Sequence, residues 1–208
     1  EDKYYVHTNG GYVIGFEQNV DYVAANHLTD LFMAIVHKQV LHIKYRTFKG
    51  EDKEWTLHPY YLKEYNNRWF LFGLNNDITG QLTNVALDRI ISFEFAHLPY
   101  INNEDLDFEE YFDDVIGVTI PDNPVETFVL KFSPERFPYV VSKPLHGSMK
   151  IRDKDECIIE ISVRPNKELD TQILSFGNDV EVLAPKRFRE HIKEKISEIA
   201  KKYSISAD

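Results

Sequence analysis

TLHPYYLKEYNNRWFLFGL, residues 56–74, decides the fold. Two aromatic-rich runs flank Asn66-Asn67, a polar pair that turns one strand into the next. Pro59 cannot donate to a ladder, so it marks an edge, bulge or bend in the first of them. Upstream, VLHIKYRTF (40–48) supplies another strand, closed by the turn Lys49-Gly50-Glu51-Asp52 before a strand that opens at Glu54. Downstream, residues 75–80 turn into QLTNVAL (81–87), and RIISFEF follows from Arg89 to about Ala96. Five short strands linked mostly by hairpins predict a small barrel, whose closure would hide the edges of such aromatic strands.

A helix precedes the first strand. Asn26 is the expected N-cap, with Leu28, Leu31, Phe32, Ile35 and Val36 at helical spacing and Lys38-Gln39 at the end. Earlier still, YYVHTNGGYVIGF (4–16) reads as a β-hairpin about Asn9-Gly10.

Beyond the barrel, residues 98–125 form an acidic connection. Phe108, Tyr111, Phe112 and Val115 recur at helical spacing, and Gly117 is the expected residue just past that helix. Residues 126–208 then alternate strand, helix, strand, strand, helix, strand. Ser133 and Pro134 start the first helix; Asn166 caps the second and Gly177 stops it. This order is ferredoxin-like. A closing helix from Pro185 shows Phe188, Ile192, Ile196, Ile199 and Tyr203 on one face. The fold class is therefore α+β: a helix and small barrel over 26–97, a linker over 98–125 and a ferredoxin-like unit over 126–208, with 1–25 as a connecting hairpin.

The chain carries a net charge of −10 over 208 residues, an unpromising balance for a nucleic-acid binder. The distribution matters more than the total. No Lys or Arg occurs from Ile90 to Leu130, which holds ten of the 34 acids, so the remainder has 24 acids and 24 bases. A local basic pocket is compatible with that balance. No apolar run approaches the roughly 20 residues that span a bilayer, and no signal peptide opens the chain. The single Cys157 makes no internal disulfide, which fits a cytoplasmic protein.

Enzyme chemistry has little support. The sequence lacks a P-loop, GxGxxG, HExxH, CxxC and GxSxG, and its eight His form no i, i+4 pair. No metal or cofactor is expected. His146-Gly147-Ser148 reads as a strand-entry turn, because no orienting acid is evident beside it. The acids Glu109-Glu110 and Asp113-Asp114 read as a solvated helix face.

In order along the chain, NHLTDLFMAI, VLHIKYRTF, TLHPYYLKEYNNRWFLFGL and VALDRIISFE resemble the WYL family of bacterial regulators, with Trp69-Phe70-Leu71 standing at the signature. Ile116–Val118, PLHGSMKI and VRPNKELDTQILSFGNDVEVLAP resemble the WCX-type extension found with that domain. The resemblance implies an Sm-like barrel, a ferredoxin-like extension and a regulatory, non-enzymatic role as a homodimer. It implies a ligand that is a nucleotide or single-stranded nucleic-acid fragment. It also implies a winged helix-turn-helix before residue 1, through which alone operator DNA would be bound. The Phe at position 70 departs from the family's Tyr.

The residues themselves point the same way. Tyr45, His58, Arg68 and Arg89 are polar positions inside apolar strands, and they come from four different strands. Small barrels bring such positions together at one end. Guanidinium groups match phosphate oxygens in pairs, and Tyr45, Trp69 or Phe70 offer a face to a base. Lys44 and Arg46 would widen the patch. Each also has a structural alternative: Arg89 in an ion pair, Arg68 as a solvated hairpin residue, His58 as a satisfied buried imidazole, Tyr45 as a tethered core aromatic. Strict alternation places Arg68 with Phe70, and Arg89 with Leu87 and Ile91, which does not put all four on one wall. Arg187 and Arg189 open the last helix against its dipole, which suggests a bound anion or the 104–114 acids as their partner. The competing reading is a dimerisation platform with no small ligand.

Overall fold

The computed structural model describes residues 25–78 and 80–204, together with the backbone of 7–8 and 11–12. The latter are two short strands, β1 (His7–Thr8) and β2 (Gly11–Tyr12), paired antiparallel as the Asn9-Gly10 signal predicts; the rest of the 4–16 hairpin lies outside the described residues. The chain divides into two compact units, Glu1–Asp105 and Leu106–Asp208. Among the described residues, no helix is long and apolar enough to cross a membrane.

In the first unit, α1 (Ala25–Val36) starts one residue before the expected cap, so Asn26 lies within its first turn. Its buried face runs through Leu31 and Ala34, with Leu28 and Ile35 packed beside them, whereas Phe32 and Val36 are exposed. The helix ends without glycine. Lys38 takes a positive φ of 52° while its N–H donates to Ile35 O, and Gln39 N–H donates to Ala34 O at 2.8 Å. Those two bonds satisfy carbonyls that the helix end leaves free.

Five strands follow: β3 (Val40–Arg46), β4 (Asp52–Tyr65), β5 (Arg68–Asn75), β6 (Gln81–Ala86) and β7 (Ile90–Ala96). They form one antiparallel sheet in the order β6-β5-β4-β3-β7. The expected closed barrel is not formed: β6 and β7 are the two edges, and no ladder joins them among the described residues. They are nevertheless consecutive, linked only by a 3₁₀ turn at Leu87–Arg89. Four Cα steps reach about 14 Å at most, so the sheet must curl to bring these ends near each other.

Asn66 and Asn67 both take positive φ, 51° and 58°, and form the two-residue loop between Tyr65 and Arg68. Pro59 sits at a bulge, where the β4–β5 register slips between Pro59 and Tyr61. Opposite it, a Cβ added to Gly73 would stand 2.4 Å from the His58 carbonyl oxygen, so only glycine permits this approach. Along β3, Leu41, Ile43 and Tyr45 face the core while His42, Lys44 and Arg46 face solvent.

The second unit begins with α2 (Phe108–Asp113), capped by Asp107, whose carboxylate accepts the Glu109 N–H at 2.8 Å. Its strands β8 (Glu126–Phe132), β9 (Lys150–Asp153), β10 (Ile158–Val163) and β11 (Val180–Ala184) form an antiparallel sheet ordered β11-β8-β10-β9. α3 (Phe137–Ser142) lies between β8 and β9, and α4 (Lys167–Ser175) between β10 and β11. α3 begins three residues later than Pro134, because Ser133 first caps a turn by accepting the Arg136 N–H. α5 (Lys186–Lys202) closes the unit. Only the first half of its apolar face is buried: Phe188 and Ile192 enter the core, but Ile196, Ile199 and Tyr203 are exposed.

Gly117 is not the helix terminator it resembles. Its φ is +88°, and a Cβ there would lie 2.6 Å from Glu168 Cγ. The Glu168 carboxylate accepts the Thr119 N–H at 3.1 Å, so this loop is moulded onto the first turn of α4. Asn166 completes the joint: its oxygen caps Leu169 N–H at 2.8 Å, and its amide donates to Ile116 O and Thr119 O at 2.8 and 3.0 Å.

Candidate functional site

The structure gathers three of the four predicted polar residues. Tyr45 is 5% exposed and stacks on Trp55 with ring centroids 4.8 Å apart. The Arg89 guanidinium lies 5.4 Å from the Tyr45 centroid and 3.3 Å from that of Phe48, a ring 81% exposed. Arg68 donates to Asp88 Oδ2 at 3.0 Å. Burial raises the Tyr45 phenol above its ordinary pKa, opposed chiefly by the nearby Arg89 charge, with Arg68 acting in the same direction.

Alternation fails to predict this meeting because residues 87–89 are a 3₁₀ turn, where the strand period of two does not apply. The turn delivers Asp88 and Arg89 beside the end of β3, where Tyr45 pairs with Ile90. The ion pair anticipated for Arg89 is instead made by Arg68 with Asp88. Arg68 thus takes the one carboxylate, and no ion pair joins Arg89 to an acid among the described residues. Arg89 Nε and Asp88 Oδ1 are buried without a hydrogen-bond partner among the described groups. An orphaned donor beside an extra positive charge is well suited to a phosphate or carboxylate oxygen. Asp88, Phe48 and Trp55 are members of this cluster that sequence reasoning did not select. The aromatic character of 48 and 55 was visible, but their convergence was not.

His58 does not join the cluster, which corrects the expectation. It follows Leu57, which faces the core with Tyr45, so alternation turns it to the other side of the sheet. There it is 1% exposed and accepts the Ile101 N–H on Nδ1 at 3.0 Å, with Tyr100 packed edge-on. Burial lowers its pKa, against a pull from Asn76, and Nε2 makes no hydrogen bond of normal geometry. His58 is a clamp for the chain after β7.

Lys44 and Arg46 also face away from Tyr45. Arg46 is committed to Asp52 through bonds of 2.8 and 3.1 Å. Lys44 lines a separate groove of about 760 Å³ whose walls carry Glu54, Asp77 and Glu94, an environment unfavourable to anions. Trp69 packs partly buried against the core.

In the second unit, Arg187 pairs with Glu126, and Arg189 with Glu181 at 2.7 Å and the Val182 carbonyl at 2.6 Å. Their partners are strand residues, not the 104–114 acids. His146 Nδ1 accepts the Ser148 N–H at 3.1 Å, and Ser148 Oγ accepts the Ser162 N–H at 2.9 Å, tying the turn to β10. Burial lowers the His146 pKa against the opposing influence of Asp113 and Asp114, so acids do lie nearby, contrary to the sequence reading. No cluster of metal-ligating side chains occurs among the described residues.

Fold and site together define a two-unit α+β chain with a cluster of arginine and aromatic side chains at one end of its five-stranded sheet. The chain belongs to the WYL/WCX family: the WYL domain profile matches residues 26–95 and the WCX domain profile residues 124–200. No curated protein sequence matches it. Sixteen solved chains do. One, described as a CRISPR Cas-related protein, is 13% identical with a TM-score of 0.51, over 89% of this chain and 54% of that one. Proteasome accessory factor B/C of Arthrobacter aurescens is 15% identical with a TM-score of 0.37, over 91% of this chain and 28% of that one. The chain therefore spans about half or less of the length of these two structures.

Proposed function

We propose that this chain is the ligand-sensing and dimerisation region of a cytoplasmic bacterial transcriptional regulator, without catalytic activity. Its N-terminal unit binds a phosphate-bearing ligand, a nucleotide or a short single-stranded nucleic acid, through Arg68, Arg89 and Tyr45. Residues 26–97 act as an open, Sm-like domain, 98–125 as a linker, and 126–208 as a ferredoxin-like domain, a reading supported by the strand order β11-β8-β10-β9. Operator DNA is the business of a winged helix-turn-helix outside these residues.

One observation carries the ligand assignment: Arg68 takes the Asp88 carboxylate, and Arg89 is left with a buried unpaired Nε–H beside an exposed aromatic face. Anisotropy of a labelled single-stranded oligonucleotide tests it, comparing the wild type with Arg68→Ala/Arg89→Ala across salt concentrations. Losing two charge-assisted phosphate contacts should weaken binding by roughly 100-fold and flatten the salt dependence. Equal affinity and equal salt slope would remove the ligand reading. They would leave the dimerisation platform, which the exposed Ile196, Ile199 and Tyr203 of α5 favour. Under that second reading, truncation of 186–208 dissociates the dimer while the Arg variants change nothing.

A further inference from the structure

We propose that the second unit holds an anion site of its own, which takes a small phosphate ester with an apolar body. It does not rest on the Arg68–Arg89 reading and shares no residue with it. A cavity of about 430 Å³ opens between the start of α4 and the middle of α5. Lys167 and Asp170 line it from α4, and Arg187, His191 and Lys195 from α5. Phe128 and Phe188 also line it, their rings edge to face at 4.7 Å.

The charges are arranged around one partly buried acid. Asp170 is only 14% exposed, and its Oδ2 receives both His191 Nε2 at 2.8 Å and Lys195 Nζ at 3.4 Å. With Nε2 engaged, His191 has Nδ1 left for a ligand. Arg187 is balanced by Glu126. Lys167 is exposed and has no ion pair among the described residues. Three permanent cations therefore face two carboxylates, in a chain whose overall charge is −10. A purely structural ion-pair set would need no surplus and no void beside it. The helix packing is already secured by Leu169, Ile173, Phe188 and Ile192 in the core. The cavity lies within the roughly 300–1,000 Å³ range of small-molecule pockets, and its apolar floor suits a base or other flat body behind a phosphate.

Calorimetric titration of the whole chain with adenosine monophosphate, adenosine and inorganic phosphate tests this, in wild type and in Arg68→Ala/Arg89→Ala. The monophosphate should bind in both backgrounds, with adenosine and inorganic phosphate each at least roughly tenfold weaker. Lys167→Glu and Lys195→Gln should each weaken the monophosphate about tenfold. Lys167 is exposed and makes no ion pair, so its reversal leaves folding intact, which an unchanged melting temperature verifies. Adenosine binding as well as the monophosphate, or indifference to both Lys changes, overturns the anion site. Inorganic phosphate binding as tightly overturns the ester assignment. Loss of all binding in Arg68→Ala/Arg89→Ala assigns the signal to the first unit and also overturns it.

Discussion

Asp88→Asn separates a ligand site from a structural ion pair. Asp88 is the acid paired with Arg68 among the described residues, and that pair is partly solvated, with the two side chains 44% and 23% exposed. Such pairs contribute about 0–1 kcal/mol, so the fold should barely notice the change. Ligand affinity should respond more. For a phosphate on Arg68 and Arg89 taken to lie about 6 Å from the Asp88 carboxylate, one unit repulsion at an effective dielectric near 40 is about 1.4 kcal/mol. Removing it while keeping an isosteric acceptor for Arg68 predicts roughly tenfold tighter oligonucleotide binding by anisotropy. The melting temperature should move by no more than a few degrees. Unchanged or weaker affinity in a folded Asp88→Asn protein would refute the reasoning, because the carboxylate would then not oppose the ligand.

Four further outcomes follow from the geometry. Asn166→Ala removes a helix cap and strands two carbonyls, so urea unfolding of the second unit should show about 2–3 kcal/mol lost. Gly117→Ala should cost more than 2 kcal/mol, since the positive φ and the Glu168 contact both oppose a Cβ; a near-neutral urea midpoint would contradict the packing described. His58 and His146 are both held below the ordinary imidazole value of 6.5 by burial. The unfolded chain then binds protons that the folded chain resists, so stability is full above that value and falls as pH drops through it towards the folded values. Thermal melts from pH 7.5 to 5 should show this decline, and His58→Asn, which keeps an acceptor near Nδ1 for Ile101, should reduce it. Phe48→Ala removes an exposed ring from beneath Arg89 and should weaken oligonucleotide binding severalfold without changing stability, a pattern that melting and anisotropy together check.

Much of the architecture was legible because its signals are local. The Asn66-Asn67 turn, the Pro59 bulge and the Asn166 cap are fixed by residues adjacent in sequence. That the sheet stays open was not legible, because whether β6 and β7 pair depends on long-range curvature that no hydrophobic period encodes. The half-buried face of α5 escaped for a related reason: periodicity shows which residues align, not where the partner surface ends. In the site, residue types were readable but their meeting was not. A three-residue 3₁₀ turn resets the alternation that would have separated Arg89 from Tyr45. His58 looked like a member until the chain beyond β7 supplied Ile101 as its partner.

The most direct test reads the guanidinium groups themselves. A ¹⁵N–¹H spectrum of the arginine Nε–H signals, recorded while a short single-stranded oligonucleotide is added, should show Arg68 and Arg89 shifting together to saturation. Arg46, occupied by Asp52, should stay still and serve as the internal reference. Stationary Arg68 and Arg89 signals at saturating oligonucleotide, or a drift shared equally by all three, would contradict a phosphate site at this end of the sheet.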